Sequence, residues 1–272
     1  MLGRALRDSF DPVSLNFWRW IVALVVLLPF GMRAVMGKGE VIRRNIGILA
    51  LLALLSVPVF QTMVYQGLRT TTAINAVLMN SSAPVFVLAC SWLIDREHAT
   101  PRQIVGMLVS LAGIVVIMTE GEPARLLQLE LHAGDAWIIA AIPLWGLYSV
   151  LLKRRPPELG GLALLFVITV LGVAMLAPLF VIHSIVAPPK APGLEGVLAV
   201  LYVGVFASVV AFICWNRGVA VVGANAAGFT LHLLPAFGTI LAIVLLGEAF
   251  RGFHAVGIGT ILAGVLLATY KT

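Results

Sequence analysis

The sequence predicts an all-α, polytopic membrane protein, and three observations lead there. Hydrophobic residues fill 61% of the 272 positions and charged residues only 11%, with a mean hydropathy of +1.05. A soluble domain carries roughly 25% charge, so this chain has too few charges to cover a water-facing surface. The apolar residues fall in runs of spanning length, and a backbone in hydrocarbon must satisfy its own polar groups, which makes helices the default. The third observation is an internal echo: Thr72–Glu97 returns as Gly223–Glu248, at an offset of 151 residues.

In that register, without a gap, Gly67 falls on Gly218, Ala73 on Ala224, Pro84 on Pro235 and Glu97 on Glu248. Further on, Gly106 falls on Gly257 and Gly113 on Gly264. Composition bias can match scattered alanines and leucines, but not a mid-segment proline, a terminal glutamate and two glycines together. The pattern reads as a duplication. Matching proline-interrupted spans in two halves of a membrane protein point to a transport site.

Taken in order, the spans are Val13–Val35, Ile42–Leu68, Ala73–Ile94, Pro101–Met118, Gly134–Leu152, Gly161–His183, Leu194–Asn216, Ala224–Gly247 and His254–Tyr270. Turn and cap residues mark the connectors, as at Lys38-Gly39, Thr100-Pro101, Pro156-Pro157 and Pro188-Pro189. The longest polar stretch, Thr119–Ala133, separates the copies. The chain therefore divides into a first repeat, 1–119, a linker, 120–133, and a second repeat, 134–272. The second repeat opens with Gly134–Leu152, whose mate would begin before Met1. The first copy thus holds four spans and the second five. An odd number inverts the second copy, so the expectation is inverted five-helix repeats: nine spans of a ten-helix design that lacks its first helix. A late start of the reading frame and a true nine-span protein both fit.

Numbered alternately, one set of connectors carries eleven lysines and arginines, Arg96, Lys153 and Lys271 among them, and the other carries six, including Arg4, Arg7 and Lys190. The positive-inside rule puts the richer set in the cytoplasm. The C-terminus is then cytoplasmic, and Glu97 and Glu248 end their spans on opposite sides. The net charge of +6 forms no continuous basic face, which argues against nucleic acid. Cys90 and Cys214 sit in apolar runs without partner spacing and read as small hydrophobes. The N-terminus shows no signal-peptide pattern. No metal-ligand spacing or cofactor motif appears.

The Pro84 and Pro235 spans end in Asp95-Arg96-Glu97 and Leu246-Gly247-Glu248. Each is followed by a glycine-rich span, from Gln103 through Gly106 to Gly113 and from His254 through Gly257 to Gly264. With the entry Asp11-Pro12 and Phe17-Trp18-Arg19-Trp20, this pattern resembles the drug/metabolite transporter superfamily, in its EamA-type branch of paired repeats. The resemblance covers nearly the whole chain. It implies a bacterial inner-membrane carrier that exports metabolites, amino acids or drugs by alternating access, with lipid and a small solute as its partners.

Several residues are candidates for lining the path. Pro84 and Pro235 remove a backbone donor and free a carbonyl one turn earlier, beside Asn80 and Ser81 in one copy and Asn225 and His232 in the other. Ser81 and His232 are equivalent positions, and His232 reads as a hydrogen-bonded packing residue that is also the mid-span side chain able to titrate near neutral pH. Arg19 is a full charge inside a span; it either snorkels to the surface or attracts an anion. Gln61 and Tyr65 share a helix face, as do Trp145 and Tyr148. With Trp215 and Asn216 they suit a substrate with an apolar body and polar ends, although helix packing explains each pair as well. Small residues at Gly106, Ser110 and Gly113, and at Thr260, Gly264 and Ala268, suggest either a buttress inside the molecule or a homodimer contact.

The competing classes are a membrane-embedded enzyme, a receptor or non-transporting subunit, and a truncated, inactive transporter. The first would need a constellation such as His-Glu-x-x-His or Gly-x-Ser-x-Gly, and the sequence has neither.

Overall fold

Helix α1, Pro12–Val35, starts where the Asp11 carboxylate accepts from the Val13 and Ser14 amides at 3.0 and 2.9 Å. This satisfies donors that a helix start leaves open. The computed structural model describes residues 11–128, 130–188, 193–246 and 249–270. Glu248, and the basic residues Arg4, Arg7, Lys190 and Lys271 used for orientation, lie outside the described residues. A short helix, Gly39–Arg44, leads into α2, Ile46–Leu68, which carries a π-helical segment at Leu55–Val59. Pro58 lies within that segment. Proline has no N–H to give, and the wider turn keeps the helix running as the Phe60 amide reaches back to the Leu55 carbonyl.

Helix α3 consists of Ala73–Asn80 and Ala83–Asp95, broken at Ser81-Ser82, with Pro84 in the first turn of the second piece. Helix α4, Pro101–Met118, opens on a capping box between Thr100 and Gln103. A 3₁₀ turn, Pro123–Gln128, precedes α5, Ala133–Leu151, and α6 is Gly161–Val186. The next apolar stretch, Leu194–Val244, is 51 residues long. At ~1.5 Å per residue it would exceed twice a ~30 Å hydrocarbon core. It is broken at Gly223, where φ is 85° and ψ 163°, a conformation open to glycine. That break separates α7, residues 194–222, from α8, residues 224–246. Helix α7 has its own π segment at Val203–Val210, and α8 has a 3₁₀ turn at Thr230–His232. Helix α9 is Gly252–Thr269. With Leu194–Val244 divided at Gly223, the described residues form nine long apolar helical segments and no strand.

Irregularities recur at the sequence offset. α4 and α9 start and end at equivalent residues, the π segments of α2 and α7 overlap, and the α3 break falls on the α8 3₁₀ turn. The equivalent helices also touch. A Cβ on Gly106 would lie 2.6 Å from the Gly264 carbonyl oxygen, and one on Gly113 would lie 2.7 Å from that of Gly257. Residue numbers rise along α4 as they fall along α9, so the two run antiparallel. Phe17 of α1 stacks on Phe180 of α6 at 4.1 Å, while Gly31 faces Phe166, the same antiparallel relation. The end of α3 meets the start of α8, where Asn225 donates to Glu97 at 3.4 Å.

Helix α5 is the most enclosed span, 56% of its window buried against 22% for α4. Small residues allow this: a Cβ on Gly67 would come within 2.8 Å of the Gly134 carbonyl oxygen, and one on Gly146 would press on Phe86 and Val87. On the second half, the positions equivalent to those α5 covers are open, with Leu234 61%, Phe237 58% and Leu241 54% exposed.

Two details differ from the sequence reading. The seventh span continues helical past Asn216 to 222, because Arg217-Gly218 keeps helical geometry and the turn comes at Gly223. The small-residue seam uses Gly257 and Ile261 in place of Thr260, whose hydroxyl bonds its own helix at Val256. The seam is an internal buttress between α4 and α9. Gly106→Val should lower thermal stability in detergent by about 1–3 kcal/mol through overpacking. Gly259→Ala, with nothing within 4 Å, should be near neutral. Melting curves of the two variants check this.

Candidate functional site

Arg19 sits about two turns into α1 and is 3% exposed. Its guanidinium turns inward: Nε donates to Ser208 Oγ at 2.8 Å, and Nη1 donates to Gln61 Oε1 at 3.0 Å and to Tyr65 Oη at 2.6 Å. The Trp20 and Tyr65 rings flank it at 5.5 and 5.6 Å. Snorkelling is thus not what this side chain does. Gln61 and Tyr65 lie one turn apart, just past the α2 π segment, and Ser208 lies within the α7 π segment. Every partner is a neutral oxygen. Among the described residues, no salt bridge reaches Arg19.

Beside this cation lies an aromatic layer. Phe212 meets Trp20, Trp145 and Tyr148 at 5.2, 5.6 and 6.1 Å, and Trp145 also packs on Phe60 and Trp215 at 5.0 and 5.2 Å. Tyr148 donates its hydroxyl to Asn216 Oδ1 at 2.8 Å, and Trp215 donates to Ser149 at 3.2 Å. Two buried donors find no acceptor, Trp20 Nε1 and Asn216 Nδ2. The cluster draws on α1, α2, α5 and α7, and so on both copies of the repeat.

The structure brings Arg19, Gln61, Tyr65, Trp145 and Tyr148 together and leaves the other candidates apart. Asn80 donates to the Ala76 carbonyl and Ser81 to that of Val77, so both satisfy their own broken helix. His232 is fully buried as a cross-link: Nε2 faces the Ser81 carbonyl at 2.8 Å, and Nδ1 faces the Ser110 hydroxyl. Pro84 and Pro235 sit in the first turn of the helix piece after each break.

Asn225 belongs to an ion-pair group at one end of the bundle. Lys153, just past α5, bridges Glu97 at 2.8 Å and Asp95 at 3.2 Å, and Arg154 lies 3.5 Å from Asp95. Arg96 takes no part, since its left-handed backbone (φ 57°) carries the side chain over Trp92. A cleft lined by Lys153, Arg155, Pro157, Val219 and Ala220 opens at this end. At the other end Asp135 accepts from Thr71 and from Asn75, tying α5 to α3.

Sequence reasoning missed Ser208 and Phe212. A serine in an apolar helix carries no signal of its own. The cation well inside α1, which needs acceptors from neighbouring helices, was the clue that some span had to supply one.

The profile of the EamA-like transporter family matches residues 1–119 and again 132–270. The chain belongs to the EamA-like transporter family. It is similar to an "uncharacterized transporter" of Clostridium kluyveri, 27% identical over 97% of this chain and 85% of the relative. Another, from Archaeoglobus fulgidus, is 29% identical over 97% and 89%. A third relative, from Streptantibioticus cattleyicolor, is named a "probable terminal-alkyne amino-acid exporter" and is 26% identical over 97% and 86%. One solved crystal structure has the same fold, with a TM-score of 0.77 at 21% identity over 98% of this chain and 90% of that one.

Two outcomes follow for this EamA-family chain. Tyr65→Phe removes one acceptor of the buried guanidinium and should cost about 1–3 kcal/mol of stability, read as a lower melting temperature in detergent. At the ion-pair end, the Lys153 hydrogen bond holds the Glu97 carboxyl below its usual range, outweighing burial and Asp95, which push it up. A lowered carboxylate contributes stability above its unfolded pKa and loses it as pH falls through the folded value. Melting temperature should therefore drop at the acid end of a pH series, and Glu97→Gln should flatten that part of the curve.

Proposed function

We propose that this membrane protein is a secondary transporter that exports small organic solutes by alternating access. In this reading it is two repeats, 1–119 and 134–272, threaded through the bilayer in opposite senses. The carrying observation is the buried layer of Arg19, Gln61, Tyr65, Trp145, Tyr148, Ser208 and Asn216, which both repeats build and which offers polar donors beside an aromatic wall. Solute sites of repeat-built transporters lie at such an interface near mid-membrane. The antiparallel contacts of α1 with α6 and of α4 with α9 support the opposite threading. The exporter name of the Streptantibioticus cattleyicolor relative supports the direction and a substrate class that includes amino acids.

The ion-pair end, rich in Arg96, Lys153, Arg154 and Arg155, is cytoplasmic in this reading, as is the C-terminus, in a bacterial inner membrane. The Lys153 bridge then closes the cytoplasmic entrance, and its opening admits solute. Two measurements test this. Reporters after Glu97 and after Phe250 should appear on opposite faces of the membrane; the same face for both overturns the threading. Purified protein in liposomes should give counterflow of amino acids or organic acids, with Lys153→Gln changing the rate by several-fold. No flux for any solute in a broad panel overturns the carrier.

A further inference from the structure

We propose that Arg19 is the binding group for a carboxylate, and that the transported solute is an organic monoanion with an apolar or aromatic body. The inference rests on the carrier reading for its biological sense, but the site stands on its own geometry. A guanidinium is a fixed cation with five donors in a planar fork. At 3% exposure Arg19 is buried in a span. An unpaired charge there costs about 2.5–3.5 kcal/mol on insertion scales. Charges kept inside a span pair with one another or with backbone carbonyls; Arg19 instead meets the neutral side-chain oxygens of Ser208, Gln61 and Tyr65. The buried carboxylate of Asp135 is engaged elsewhere, by Thr71 and Asn75.

These bonds use Nε and Nη1. Among the described residues, Nη2 has no acceptor, and it is not among the fully enclosed orphan atoms. Trp20 Nε1 and Asn216 Nδ2, in the adjoining aromatic layer, are buried donors without acceptors. Asn16 Oδ1, three residues before Arg19, is an acceptor without a partner, but the charge itself and the free Trp20 N–H beside it are the complement of a carboxylate. The wall of Trp145, Phe212 and Trp215 selects an apolar body. A single cation with neutral neighbours suits one negative charge better than a phosphate dianion.

The test uses the full chain in nanodiscs of zwitterionic lipid. Tryptophan fluorescence serves as the readout, since Trp20, Trp145 and Trp215 lie in the layer. The probes are acetate, indole-3-acetate and 3-phenylpropionate, each paired with its neutral amide, together with 3-phenylpropylamine and inorganic phosphate. Saturable quenching by the aromatic acids, at least tenfold tighter than by their amides, is expected. Arg19→Gln should abolish that preference, and Arg19→Lys should restore part of it. Amides or the amine binding as well as the acids, phosphate binding best, or no acid binding at all overturns the assignment. The wild-type comparison of acid with amide decides the matter even where Arg19→Gln fails to fold. Failure of the carrier reading looks different: acids still bind with the Arg19 dependence, but no solute crosses in the liposome assay. Conversely, flux of neutral or cationic solutes without acid binding keeps the carrier and removes the anion site.

Discussion

A full positive charge in an apolar interior has to be answered by its surroundings, and four helices are arranged around that demand. Arg19 projects from α1 into the seam where α2 and α7 present Gln61, Tyr65 and Ser208. Each acceptor stands on a different turn or helix, so the contacts hold α1 to both copies at once. The aromatic layer extends the same junction to α5, through Trp20, Phe212 and Tyr148. Packing alone would have served with leucines. Polar oxygens at these positions make sense only once the guanidinium is present, since each is costly to bury without a partner.

The two kinds of contact between the copies differ in stiffness. Along α4 and α9 four glycines rest against the other helix's backbone, Gly106 on Gly264 and Gly113 on Gly257. A slide of either helix would drive side chains into carbonyls, so this seam resists translation. The ion pairs around Lys153 are half exposed, with Glu97 at 49%, and such pairs are worth little in water. One attachment is therefore rigid and the other soft.

Much of this was legible in the chain. The offset that aligns Pro84 with Pro235 carries over to whole helices, because the same small residues and breakers sit at the same depth. The i, i+4 pair Gln61 and Tyr65 and the i, i+3 pair Trp145 and Tyr148 do face one site, since helical spacing is enough to put them on one face. What spacing could not reveal is which face meets which. Asn80 looked available, but its amide is consumed by the Ala76 carbonyl at the helix break. Ser208 carried no signal in the sequence, and only the approach of α1 gives it a role. His232, expected as a hydrogen-bonded packing residue, is in the fold a strut between Ser110 and Ser81. The end of the seventh span was misplaced because Arg217-Gly218 resembles a connector, while the positive φ that does the turning belongs to Gly223.

The π segments give the site a dependence on counting. A π turn holds one residue more than an α-turn. Each residue of an α-helix advances the azimuth by about 100°. Removing one position from Leu55–Val59 would close that wide turn to an α-turn of nearly the same rotation, leaving Gln61 and Tyr65 facing the guanidinium, whereas removing one from the regular turn between them would swing Tyr65 away by about 100° with its identity unchanged. The segment at Val203–Val210 gives α7 the same tolerance ahead of Phe212. An alignment gap at a π segment can therefore be silent, while one a few residues further on matters as much as a substitution.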